Sequence, residues 1–279
     1  MFLAIERSPY SFSGDMFMKY ETLKVDFHPR IAHVMLHRPG AMNALDQQLL
    51  DELEACFCEL NESGRVRAIV LSGTGKAFCV GGDVSFLQVI NSKSPFESRQ
   101  LLASLFQKSA VLARVKPPVI GALHGFVLGA GFSLALLCDL RLAAENTVFG
   151  AEFPKMGIIP ELGCTHTLAA TVGLSKAMEI ALTGKRFDAH EASTIGLVNG
   201  VSKDEELVSD ALALAGTIAE LPPLAVGMTK LAIRKGSTGT LEESLEFESY
   251  ANAVCYQTAD HKEAAAAFLE KRKPVFQGR

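Results

Sequence analysis

Two carboxylates fall within one loop-like stretch, "FGAEFPKMGIIPELGCTHTL" (Phe149 to Leu168), which also holds Pro154, Pro160 and three glycines. They are Glu152 and Glu161. Glu161 stands between Pro160 and Leu162, and an acid in apolar surroundings keeps its proton to higher pH and can act as a general base. A helical pattern follows, so an acid that complements a helix N-terminus is the competing reading, and spacing leaves both open. The second stretch is "HGFVLGAGFSLALLCD" (His124 to Asp139), a glycine-spaced bend from Gly125 to Gly131 that runs into an apolar helix start. Such a bend lets backbone approach a ligand closely, with helix N–H groups facing negative charge. The bend carries no carboxylate, histidine–base pair or lysine of its own beyond His124, which leaves open what would do the chemistry there.

Other patterns invite chemistry and fail on spacing. "LSGTGKAFCVGGDVSF" (Leu71 to Phe86) contains Gly-x-Gly-Lys, but a phosphate loop needs a glycine where Val70 stands and a hydroxyl where Ala77 stands. Its "CVGGDV" is a tight turn whose Asp83 can cap a following helix. Ser133, in "GAGFSLA", lacks the second glycine of a nucleophile elbow, because Ala135 occupies that place. It reads as a packed or substrate-facing hydroxyl. His33 and His37 are four apart in a strand-like context with no third ligand nearby, so no metal site is expected.

The elements that must position these residues alternate. "ETLKVDF" and "IAHVMLH" read as strands around the turn "HPR". "DQQLLDELEACFCEL" puts Leu49, Leu50, Leu53, Phe57 and Leu60 on one helical stripe, with Asp46 as cap. "RAIVLSG", "PPVIGALHG" and "DLRLAAENTVFG" supply further strands and turns. Strand, turn and helix alternate to about residue 200, as in an α/β layered domain. Beyond it the pattern is helical: Ser202 with Glu205 fits a capping box, "PPLAVGMTKLAIRKG" opens on prolines, and Asp260 with Glu263 suits the start of a helix that Pro274 ends. The division expected is a disordered extension over 1–17, a core over 18–200 and a helical region over 201–279.

At 279 residues the chain has ample length for a core, and its formal net charge of −4 leaves no electrostatic footprint for nucleic acid or an anionic membrane. No apolar run approaches the roughly 20 residues of a spanning helix, and the first residues lack the charged start of a signal peptide. Six cysteines at 56, 58, 79, 138, 164 and 255, none in C-x-x-C, read as reduced residues of a cytoplasmic protein.

Together, "HRPGAMNALD", "GKAFCVGGDV", "KPPVIGALHGFVLGAGFSLALLCDLRLAAENTVFG", "MGIIPELG", "LTGKRFDAHEASTIGLVN" and "AFLEKRKPVFQGR" resemble the enoyl-CoA hydratase/isomerase (crotonase) family, in order, from about residue 19 to the last. The resemblance implies an α/β fold, a spiral of ββα units followed by a helical C-terminal region that forms trimers or hexamers. It also implies an acyl-CoA substrate, with CoA arriving as part of it and no separate cofactor or metal. The motif matches place two backbone donors for a thioester enolate at Gly82 and Ala130. Val80, Asp83, Val84 and Ser85 would lie along the substrate and its CoA arm. Phe268 and Lys271 resemble residues that touch CoA from a neighbouring subunit.

Where hydratases of the family carry their two glutamates, this chain has Ser133 and Phe153, both expected beside the substrate; Glu152 is one residue early for the second. A branch of isomerases carries an acid directly after the proline of the G-x-x-P loop, which here is Glu161. The expectation is therefore an isomerase shifting a 3-enoyl double bond to position 2, with Glu161 as the base. A ring-epoxide or ring-opening acyl-CoA isomerase and an enoyl-CoA hydratase are the alternatives within the family; an inactive acyl-CoA-binding or RNA-binding member is the alternative outside enzymes.

Overall fold

Residues 19–279 are described by the structure, a computed structural model; the extension expected over 1–17 lies outside them. The antiparallel pair β1 (Leu23–His28) and β2 (Ile31–Leu36) opens the chain, with Leu23 opposite Leu36 and His28 opposite Ile31. In α1 (Gln47–Glu62), the Asp46 carboxylate accepts a hydrogen bond from the Leu49 amide at 2.8 Å, as the capping pattern predicts. Its stripe of Leu49, Leu50, Leu53, Phe57 and Leu60, joined by Cys56, is buried.

Three turns of strand, strand and helix follow. β3 (Ala68–Gly73) and β4 (Ala77–Cys79) lead to α2 (Val84–Asn91), α3 (Pro95–Ser109) and the short α4 (Val111–Arg114). β5 (Val119–Leu123) and β6 (Phe126–Leu128) lead to α5 (Ala130–Leu137). β7 (Leu140–Ala144) and β8 (Val148–Gly150) lead through a 3-10 turn at Phe153–Met156 to α6 (Cys164–Val172) and α7 (Leu174–Thr183). β9 (Arg186–Asp188), α8 (Ala189–Thr194) and β10 (Gly200–Ser202) complete the strands. The first strand of each turn enters one sheet, of order β1-β2-β3-β5-β7-β10, and the second enters another, of order β4-β6-β8-β9. Successive turns pair in parallel, β3 with β5 and β5 with β7 in one sheet, β4 with β6 and β6 with β8 in the other. This is the expected spiral of ββα units.

Parallel strands are covered on both faces, and the burial follows. In β3, Ile69 and Leu71 face the main core with α1, while Ala68 and Val70 face the opposite side. That side is closed by α9 (Leu207–Ala219), which sets Ala211, Ala215 and Ala219 against the sheet, a four-residue spacing of small side chains that allows close approach. α10 (Pro223–Gly236), α11 (Leu241–Tyr256) and α12 (Ala259–Glu270) end the chain.

Two expected caps are corrected. Ser202 does not cap a helix: it lies in β10, paired in parallel with Ala144, and the helix starts five residues later at Leu207. Asp260 does not begin its helix either, since Thr258 is the cap of α12. The Asp260 carboxylate instead turns back to the chain end, accepting from the amides of Gln277 at 2.6 Å and Gly278 at 2.8 Å. In both cases a tertiary partner outcompetes the local one.

Candidate active site

Two glycine turns meet at the mouth of α5. Gly129 has φ 51° and ψ −125°, a conformation open to glycine, and α5 begins at Ala130 directly after it. The first N–H groups of a helix have no partner within it, so the Ala130 amide is free to face a ligand. The carbonyl of the same peptide, on Gly129, accepts from Ser133 N at 3.1 Å, which fixes the peptide plane and aims its N–H outward along the helix axis. The second turn is anchored in the same way. Leu45 makes an isolated parallel bridge to Gly82: Leu45 N donates to Gly81 O at 2.7 Å, and Asp83 N donates to Leu45 O at 2.9 Å. In such a bridge the polar groups of Gly82 itself point away from Leu45. The turns abut, because a Cβ placed on Gly81 would lie 3.5 Å from the Ala130 nitrogen and one on Gly129 would lie 3.7 Å from Gly81 Cα. A Cβ on Gly82 would meet nothing within 4 Å, so space opens beside that amide.

From this pair a short chain of contacts leads to Glu161. One helical turn beyond Ala130, Ser133 is fully buried and its hydroxyl donates to Gly129 O at 3.5 Å, on the helix that packs against α6 and its first residue, Cys164. The Cys164 amide donates to Glu161 O at 2.9 Å. The loop reaches Cys164 through two left-handed residues, Leu162 (φ 53°) and Gly163 (φ 79°). The Glu161 carboxylate meets no hydrogen-bond donor or cation among the described residues, and burial pushes its pKa above the ordinary carboxylate value. A carboxylate that complemented the N-terminus of α6 would be stabilised as an anion and shifted downward. No amide of α6 donates to this carboxylate, so it does not cap that helix, and the upward direction agrees with a desolvated acid.

Glu152 is the opposite case. Arg186 reaches it with two hydrogen bonds, at 2.9 and 3.1 Å, and Lys155 with one at 2.7 Å. These partners, Arg186 foremost, hold its carboxyl below the ordinary range. Phe153 beside it is 4% exposed, so an apolar ring occupies that position. The Asp83 carboxylate caps α2, and its hydrogen bonds from Ser85, followed by Arg38, keep its pKa low. Val80 is half-buried, while Val84 and Ser85 are exposed on the rim of the same turn. Phe268, 83% exposed, and Lys271 lie at the end of α12, whose principal neighbour is α11; this single chain does not bring them to the glycine turns. His33 and His37 are engaged separately, with Ser72 at 2.8 Å and Thr74 at 3.0 Å.

A cavity of about 830 Å³ lies elsewhere, under α10, lined by Pro118, Asp139, Arg141, His166, Lys230 and Arg234 among others. Its charged heads are already matched. Asp139 binds Lys230 at 2.7 Å and Arg234 at 2.8 Å, and Arg141 donates to the Leu197 and Cys138 carbonyls. The glycine turns and Glu161, which combine free donors with an unpartnered acid, form the better candidate for chemistry.

A two-sheet ββα spiral with two abutting glycine turns at the mouth of α5 and a half-buried acid in the loop before α6 defines a class of fold and site. The family model described as enoyl-CoA hydratase/isomerase matches residues 26–279, and the chain belongs to that family. It is 35% identical over 260 residues to the crotonyl-CoA hydratase of Syntrophomonas wolfei subsp. wolfei, covering 93% of this chain and 99% of that protein. It is likewise 35% identical over 257 residues to the short-chain-enoyl-CoA hydratase of Clostridium acetobutylicum, covering 92% and 97%. The crystal structure of an enoyl-CoA hydratase from Bacillus anthracis superposes with a TM-score of 0.88 at 32% identity, over 93% of this chain and all of that one. The fold is thus the crotonase fold.

Proposed function

We propose that this family member isomerises unsaturated acyl-CoA thioesters, moving a double bond from position 3 to position 2. One observation carries the reading: the acid in the loop before α6, the helix packed on α5, is Glu161, desolvated and unpartnered, while Ser133 and Phe153 stand where the resemblance puts a pair of hydratase glutamates. Glu161 takes a proton from C2, and the electron pair of that C–H bond moves into the thioester carbonyl. The resulting enolate oxygen is held by the Gly82 and Ala130 amides. As the enolate collapses, the C3–C4 double bond takes the proton at C4 from Glu161, leaving the double bond between C2 and C3. The proton only moves, so one base suffices and the reaction needs no redox partner or metal. Phe153, the buried Ser133 hydroxyl and the Cys164 thiol, whose pKa burial pushes up to about 11, offer no base to activate water.

CoA enters as part of the substrate, its arm along Asp83 to Ser85. The exposed Phe268 and Lys271 would reach the CoA of an adjoining subunit in a homotrimer or hexamer. The hydratase names of the relatives favour water addition as the second reading. Purified protein assayed with 3-enoyl, 2-enoyl and ring-containing acyl-CoAs separates these. Isomerisation predicts growth of the conjugated thioester absorbance from the 3-enoyl substrate. Hydration of 2-enoyl-CoA at the common enzymatic median of about 10 per second would overturn the reading.

A further inference from the structure

The Gly82 amide is connected through two peptide groups to a cation. Arg38 Nη1 donates to the carbonyl of Ala44. The amide of that same peptide, Leu45 N–H, donates to Gly81 O at 2.7 Å. The amide of the next peptide is Gly82 N–H. In a trans peptide the C=O and N–H point in opposite directions, so each carbonyl bond aims the following donor. The geometry points to Arg38 as a positioning residue that heads a hydrogen-bond chain: guanidinium to Ala44–Leu45, to Gly81–Gly82, to the thioester oxygen.

The surroundings of Arg38 are built to hold it there. Its Nη2 also binds Asp46 at 2.8 Å and Asp83 at 3.0 Å, tying the start of α1 to the start of α2 around the bridge. The Arg38 amide is held by Asn43 Oδ1 at 2.8 Å. Asn43 is fully buried, adopts φ 56°, and its Nδ2 donates to the carbonyls of Thr74 at 2.9 Å and Ala77 at 2.8 Å. The loop from Arg38 to Asp46 is therefore fastened at both ends and in its middle. A planar fork reaches three acceptors at once, which a lysine ammonium cannot reproduce with the same geometry. Hydrogen bonds in series polarise one another, so a cation at the head strengthens the last N–H as an oxyanion donor. Ala130 has the counterpart in its helix, where Ser133 N holds the Gly129 carbonyl.

This inference rests on the proposed role of Gly82 as an oxyanion donor, and the test separates the two. Saturated hexanoyl-CoA carrying ¹³C at the thioester carbonyl is bound to the protein, and its carbonyl stretch is read by infrared difference spectroscopy. In the wild type and in Glu161→Gln the band should fall to lower frequency than in buffer. In Arg38→Met it should move back towards the buffer value. Isomerase kcat should drop about tenfold or more, short of the 10²–10³ lost when a donor is removed outright, with KM changing less than kcat. Arg38→Lys, which retains a cation for both aspartates, should fold and give an intermediate band; it decides the matter if the methionine variant does not fold. A folded Arg38 variant with the full wild-type shift overturns the chain of bonds even if its stability falls. A wild-type band unmoved from its buffer position overturns the oxyanion assignment at Gly82 and, with it, this inference.

Discussion

Gly131 lies one residue inside α5, where ordinary helix propensity says that alanine should be better by up to about 1 kcal/mol. The packing says the reverse. A Cβ on Gly131 would sit 2.2 Å from the carbonyl oxygen of Cys79 and 2.8 Å from Cys79 Cβ, against 3.4 Å or more for ordinary contact. The atom struck belongs to the backbone of β4, so no side chain can swing aside, and α5 must move by about an ångström. Overpacking of this kind costs about 1–3 kcal/mol. The upper end applies to a backbone clash, leaving roughly 2 kcal/mol of net destabilisation after the propensity gain. For a chain of this size Tm should fall by about 4–8 °C. Because Ala130 moves with the helix, kcat should fall about 10²-fold, the usual consequence of a 1 Å misplacement. Gly216→Ala is the control: that glycine lies within α9 with nothing within 4 Å of its Cβ position, so the same exchange should raise stability. Calorimetric melting and initial-rate assays on both variants suffice. If Gly131→Ala melts at or above the wild-type temperature with its turnover intact, the close approach of α5 to β4 does not position the site.

The raised pKa of Glu161 has a signed consequence for stability: folding favours the protonated form, so the group's contribution is complete below its unfolded pKa of about 4.3 and is lost as pH rises through the folded value. Glu161→Gln should accordingly melt above the wild type at pH 7.5 and lose that advantage near pH 4, and an equal offset at both pH values would contradict the burial. The wild-type rate should show an acid limb above the ordinary glutamate value, absent any shift in the melting of other regions. Asp139→Ala strands Lys230, whose side chain is 8% exposed, together with Arg234, and should cost about 3–5 kcal/mol by urea unfolding; a loss below 1 kcal/mol would mean the cluster is not a structural tie. Light scattering at micromolar concentration should give a trimer or hexamer, and a monomer would remove the support for Phe268 and Lys271 as contacts from a neighbour.

The spiral was readable because its signals are local and repeated: the stripe from Leu49 to Leu60, the β-branched runs into glycine at Gly73 and Gly121, and Asp46 and Asp83 as caps all appear where the pattern put them. The expected boundary near residue 200 falls at β10, but α9 then joins the sheet as a covering layer, which its alanine spacing did not announce. The helices α3 and α11 passed unread although each has a full capping box, at Ser94 with Glu97 and Thr240 with Glu243. The apolar residues of α11 are largely exposed, so it lacks the stripe by which a core-facing helix declares itself, whereas α3 buries Leu105 and packs Leu101 and Phe106 on the core. At the site, the glycine turns and Glu161 were legible as motif positions. The direction of the Glu161 shift was not, because it depends on the absence of a partner in three dimensions. The role of Arg38 is not legible in its motif, since its link to Gly82 runs through the backbone of Ala44, Leu45 and Gly81, and backbone atoms leave no mark in a sequence.

The central claim is that one desolvated carboxylate moves a proton between C2 and C4 of a bound acyl-CoA. The most direct measurement is turnover of a 3-enoyl-CoA by wild type and Glu161→Gln, followed by the conjugated thioester absorbance, with acyl-CoA affinity and melting recorded on the same samples. The amide keeps the shape of the side chain but accepts no proton at neutral pH. The account predicts retained fold and binding with a loss of at least 10² to 10⁴ in rate. A folded Glu161→Gln protein that isomerises at close to the wild-type rate would contradict it.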